Sequence, residues 1–145
     1  MPLVKMRVKA SNVDHATTVI KAKGFEMIID EPVNLGGNNL GPNPLEYLLA
    51  ALAGCLAVSG RGVAKEMGFE LRDVNFEVIG ELDPSKFMGQ PTTERAGFQL
   101  ITVKTKVDAD CDAETLTKWA HEIEERCPVS DSIRNGTTVK RELLA

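Results

Sequence analysis

The sequence predicts an α+β fold in a single domain over residues 1–145. Strand-like alternation flanks a long, almost uninterrupted apolar helical segment, and a second helical stripe follows near the C-terminal end. The hydrophobic fraction of 43% over 145 residues is enough for one real core. The expected order is βββ, a long central helix, ββ, two helices and a last strand.

The first third reads as extended chain. "LVKMRVKA" (3–10) alternates apolar and basic positions as a half-buried strand does. "TTVIKA" and "FEMIID" flank Lys23-Gly24 as the two arms of a hairpin. "EPVNLGGNNLGPNP" (31–44) then gathers Gly36, Gly37, Gly41, Pro42 and Pro44 in one loop. It lacks the spacing of a dinucleotide fingerprint or a Walker loop, so it reads as a tight connection rather than a phosphate cradle.

The long helix is predicted over 44–67. Asn43 supplies an N-cap, Pro44 takes the first helical position where its missing N–H costs nothing, and Glu46 at N3 closes a capping box. From Tyr47 to Val58 the helix is apolar nearly all round, which predicts a buried central helix. One small sheet cannot cover such a helix, so a partner chain is expected to help bury it. Gly54, Ser59 and Gly60 interrupt the run, and a bilayer span is not expected.

After Gly68, "LRDVNFEVIGEL" and "GFQLITVKTKV" predict two strands around a polar loop (83–96). A second helix starts near Asp112, with Leu116, Trp119, Ala120 and Ile123 on one apolar stripe that carries Cys127 inward. Pro128 begins a short helix, "PVSDSI", with Cys127 as its N-cap, and Asn135-Gly136 turns the chain into a last strand, "TTVKREL".

Net charge is −4 and the basic residues are scattered, which leaves no electrostatic footprint for nucleic acid. The N-terminus lacks the zones of a signal peptide, so a cytoplasmic protein without membrane attachment is expected. Three cysteines without a CxxC pair argue against a disulfide framework or a zinc ribbon. With only His15 and His121, in separate elements, no metal site is expected.

The thiols have contrasting surroundings. Cys127 at a helix start, beside Arg126, is placed for a depressed pKa by N-terminal N–H groups and dipole. Cys55 has Leu48, Ala51, Leu52, Val58 and Ser59 as helical neighbours, and burial there raises a thiol. From the residues alone Cys55 is either a small core residue or a reactive thiol. Cys111, between Asp110 and Asp112, reads as incidental.

"NPLEYLLAALAGC" (43–55) after the Gly-rich loop, together with "CPVSDSI" (127–133), resembles the osmotically inducible protein C and organic hydroperoxide resistance family, over essentially the whole chain. The resemblance implies an intertwined homodimer with active sites at the subunit interface and no metal, haem or other cofactor. It implies a cysteine-based peroxidase acting on small organic hydroperoxides, with Cys55 the peroxidatic thiol and Cys127 the resolving one. A dithiol, such as that of a lipoylated protein, would re-reduce the pair.

In the family's organic hydroperoxide branch a carboxylate directly follows the Asn-Pro and pairs with an arginine from the N-terminal strands. Here that position is Leu45, Glu46 comes one later, and no arginine lies between Arg7 and Arg61. His15 lies near the arginine's expected place, where imidazole is a weak substitute. The resemblance then implies a weak peroxidase, of the general osmotically inducible type or of an uncharacterised subgroup. Glu46 is nine residues before Cys55, half a turn out of phase and roughly 13 Å along a straight helix, and the capping box accounts for it without catalysis. The alternative function is a non-enzymatic redox sensor or small-molecule-binding protein with a reversible dithiol; turnover distinguishes the two.

Overall fold

The computed structural model describes residues 1–144. Its elements are β1 (Lys9–Asp14), β2 (Thr17–Ala22), β3 (Phe25–Ile29), a single 3-10 turn (Val33–Leu35), α1 (Pro44–Met67), β4 (Leu71–Glu81), β5 (Leu100–Ala109), α2 (Ala113–Arg126) and α3 (Pro128–Asn135). This is the mixed α+β architecture expected. The chain packs as two compact units, Met1–Leu48 and the remainder from Leu49, each taken separately below.

In the first unit β1, β2 and β3 form an antiparallel sheet in sequence order, with Val19 opposite Ile28 and Ile20 opposite Met27. The expected strand over 3–10 starts only at Lys9 and continues to Asp14. Alternation reports a segment suited to pairing, but β2 supplies partners only from Lys9 onward. Leu3, Val4, Met6 and Val8 are therefore exposed.

The loop after β3 is organised by Asp30, which is wholly buried. Its carboxylate accepts N–H bonds from Glu31 (2.8 Å), Asn38 (3.2 and 3.3 Å) and Leu40 (3.2 Å), and the Thr17 hydroxyl donates at 3.1 Å. Burial pushes this carboxyl up, but the combined donors outweigh it and hold it below its usual 3.8. Gly37 is required here, since a Cβ would collide with the Glu31 carbonyl.

α1 begins where expected. Asn43 Oδ1 accepts from Glu46 N, and Glu46 Oε2 accepts from Asn43 N, both at 2.8 Å, closing the capping box. The Tyr47 hydroxyl donates to the Ile28 carbonyl at 2.9 Å, fixing the first turn to β3.

In the second unit β4 and β5 form an antiparallel pair, and α1, α2 and α3 share a core of Leu52, Leu56, Val63, Ala64, Trp119 and Ile123 with Leu71 of β4. Trp119 is 1% exposed, and its indole N–H donates to the Gly60 carbonyl at 2.9 Å. A Cβ on Gly60 would stand 2.9 Å from the Trp119 ring, so this crossing needs glycine. Within the chain α1 buries one face only: Ala51, Gly54, Val58 and Gly62 form an exposed stripe along it. Its 24 residues are long and apolar enough to cross a bilayer by length and composition alone, where the sequence predicts an apolar run too short to do so, but its buried face packs on protein.

The last strand expected at 137–143 is not formed among the described residues. Beyond the Gly136 C-cap no residue up to Leu144 pairs in a strand, and Val139, Leu143 and Leu144 are exposed.

Candidate active site

α2 stops at Arg126 and α3 starts at Pro128, so Cys127 is at once the C-cap of one helix and the N-cap of the next. Extended backbone at this residue turns its side chain into the core, where Cys127 is 0% exposed. Its Sγ accepts the Ser130 N–H at 3.3 Å, the capping role expected from the sequence.

Cys55, at the middle of α1, is partly exposed and packs against the edge of the same core. Its thiol lies near enough to that of Cys127 to shift its titration. α1 and the α2–α3 junction therefore bring together two side chains that are far apart in sequence.

The depressed pKa expected for Cys127 is not found. Burial pushes the thiol above its ordinary 9.0 and the Cys55 thiol adds to this; the N–H groups of Ser130 and Val129 oppose it without prevailing. Arg126 does not help, because its guanidinium is engaged by Glu66 through two bonds of 2.6 and 3.0 Å. Sequence adjacency put a cation beside the thiol, but a bidentate carboxylate holds it elsewhere.

The other sequence-predicted site residues have local partners of their own. Glu46 is tied into the capping box, and His15 stands exposed in the β1–β2 turn with Nε2 3.8 Å from Asp14 Oδ1. Both belong to the first unit. Cys111 is half-buried, and burial with Asp112 and Asp110 raises its thiol. Among the described residues, no group of three or more His, Cys, Asp or Glu side chains is arranged to hold a metal ion.

A cavity of about 370 Å3 lies between α1, β4–β5 and the α2–α3 pair, with neither cysteine in its lining. Leu52 and Leu56 line it from α1, Phe76 and Ile101 from the sheet, and Ile133 and Ser130 from α3. The wall is largely apolar, and Ser130 is the residue whose N–H holds Cys127. Sequence reading missed Ser130 and the Glu66–Arg126 clasp. The first is signalled only by its N3 position after an N-cap cysteine, and the second by nothing local.

Residues 36–142 match the family described as OsmC-like protein. No curated protein matches the chain. Among solved structures it is similar to an OsmC-like protein from Mycoplasma pneumoniae, with a TM-score of 0.79, 17% identity, and 90% of this chain and 88% of that one covered. It is also similar to an organic hydroperoxide resistance protein OsmC from Legionella pneumophila (TM-score 0.70, 22% identity, 94% and 93% covered). A third likeness is to an organic hydroperoxide resistance protein from Elizabethkingia anophelis (TM-score 0.67, 18% identity, 92% and 90% covered). At these identities the structural likeness bears on the fold.

Proposed function

The chain belongs to the OsmC-like protein family, and on that premise we propose that it is a thiol-dependent peroxidase for organic hydroperoxides. The observation that carries this reading is the proximity of the Cys55 and Cys127 thiols. The names of the Legionella and Elizabethkingia proteins, both organic hydroperoxide resistance proteins, support it.

Cys55 is the more exposed thiol and acts first. Its thiolate attacks the peroxide O–O bond, forming a sulfenic acid and releasing an alkoxide that takes up a proton to become the alcohol. The Cys127 thiol, after losing its proton, attacks the Cys55 sulfur, and hydroxide leaves as water when that proton is returned. A dithiol then reduces the Cys55–Cys127 disulfide to two thiols and is itself oxidised to a disulfide. The apolar cavity beside Leu52 and Leu56 offers room for the hydrocarbon part of the peroxide.

The working unit in this proposal is a homodimer. Ala51, Gly54, Val58 and Gly62 give α1 a smooth apolar face, with Val58 77% exposed. Covering it with a second copy of the chain removes that surface from water. Neither His15 nor Glu46 has a part in the chemistry proposed.

One equivalent of an alkyl hydroperoxide should consume the Cys55 and Cys127 thiols together and give one intramolecular disulfide, mapped by peptide mass spectrometry. Loss of Cys111 instead, or a disulfide between subunits, would contradict the assignment.

A further inference from the structure

The two sulfurs of the pair differ in how they can be approached. Cys127 is 0% exposed and sits within the cluster of Leu56, Trp119 and Ile123, whereas Cys55 is partly exposed at the edge of that cluster. Displacement at a disulfide runs along the S–S axis, so the attacking thiolate must reach one sulfur from the side opposite the other. For Cys127 that line passes through the core. For Cys55, which is partly exposed, it can start from solvent.

The leaving side is equally asymmetric. The Ser130 N–H already points at Cys127 Sγ, 3.3 Å away in the first turn of α3, so negative charge released on that sulfur meets a donor in place.

We propose that Cys55 is the sulfur attacked by the external dithiol and that Cys127 is the leaving thiolate. This rests on the peroxidase reading above and adds to it the direction of the reductive half-reaction. One thiolate of the dithiol forms an S–S bond to Cys55 while the Cys55–Cys127 bond breaks, and the electron pair leaves on Cys127, which then takes up a proton. The second thiol of the reductant, deprotonated, attacks its own sulfur in the mixed disulfide. The reductant departs as a cyclic disulfide and Cys55 is released as a thiolate. Peroxide and reductant thus arrive at the same sulfur through the same opening. A second copy of the chain can narrow that opening but cannot create one onto Cys127, because adding surface never exposes a buried atom.

The test uses the full chain carrying Cys111→Ser, oxidised with an alkyl hydroperoxide. A brief exposure to excess 2-mercaptoethanol is stopped with acid, free thiols are capped with a maleimide, and the adducts are mapped by peptide mass spectrometry. The expected product has 2-mercaptoethanol on Cys55 and maleimide on Cys127, in at least about tenfold excess over the reverse. An even split, or the adduct on Cys127, overturns the proposal. A second measurement compares Cys127→Ser with Cys55→Ser in the same background, using an aromatic disulfide reagent. The chain retaining Cys55 should react about tenfold faster or more; equal or reversed rates overturn the assignment. A chain that forms no Cys55–Cys127 disulfide on oxidation overturns the peroxidase reading itself and this proposal with it, and the absence of the cross-linked peptide pair identifies that case.

Discussion

At the scale of single residues, the pH behaviour of Cys127 gives the most direct handle on mechanism. Its thiol is raised by burial first and by Cys55 second, so near neutral pH it is protonated and a poor nucleophile. The resolving step should accelerate with pH, by up to about tenfold per unit between pH 7 and 9, while the thiol remains mostly protonated. Stopped-flow fluorescence of Trp119, the single tryptophan and a neighbour of Cys127 in the core, after a pulse of peroxide would follow it. A resolving rate independent of pH over that range would contradict a raised thiol. The linkage to stability has the corresponding sign. A folded-state value above the unfolded one favours the fold below the unfolded pKa, and that contribution disappears as pH rises through the folded value above 9.0. Cys127→Ser should permit one oxidation that halts at the Cys55 sulfenic acid or proceeds to the sulfinic acid, visible as added oxygen by mass. The helix-cap position of Cys127 was legible in the sequence because Pro at N1 marks a helix start. Its pKa direction was not, because the burial and the Cys55 thiol that raise it, like the Glu66 that engages Arg126, come from packing against another helix.

At the scale of elements, two glycines on one helix separate packing from propensity. Gly60 faces Trp119, so Gly60→Ala places a methyl 2.9 Å from the ring. The overpacking cost of about 1–3 kcal/mol exceeds the gain of up to about 1 kcal/mol from helix propensity. Gly54 has nothing within 4 Å of such a methyl in the single chain. Urea unfolding should show Gly60→Ala lowering the midpoint, and an unchanged or higher midpoint would contradict the α1–α2 packing; Gly54→Ala, on the face proposed to meet a second copy, should act on dimerisation instead. Asp30 governs the loop after β3. Because its carboxyl is held below 3.8, its contribution is present above the unfolded value and is lost as pH falls through the folded one. Amide exchange at Asn38 and Leu40, corrected for intrinsic rates, should stay protected from pH 7 to 5, and Asp30→Asn should release both sites. Helix periodicity, the capping box and the Lys23-Gly24 hairpin made α1, α2, β2 and β3 readable. The segments at 3–8 and 137–143 were misread because alternation signals a capacity to pair, and a strand exists only where another strand supplies its hydrogen bonds.

At the scale of the whole molecule, the proposed homodimer would cover the exposed stripe of Ala51, Gly54, Val58 and Gly62 with a second copy of the chain. Sedimentation should show a dimer at micromolar concentration, and Val58→Glu, which places a charge on that stripe, should shift it to monomer. A wild-type monomer would contradict the homodimer. The fold class was legible because long-range order follows from the succession of periodic segments. The meeting of Cys55 with Cys127 was not derivable from spacing, since only the packing of α1 against α2 and α3 brings them together. If this pair runs a catalytic cycle, steady-state turnover with a dithiol as the sole reductant reveals it, comparing an aryl hydroperoxide with hydrogen peroxide. Many equivalents of aryl hydroperoxide should be consumed per chain, with a preference over hydrogen peroxide and complete loss of activity in Cys55→Ser. Consumption that stops after one equivalent, or turnover that survives Cys55→Ser, would contradict it.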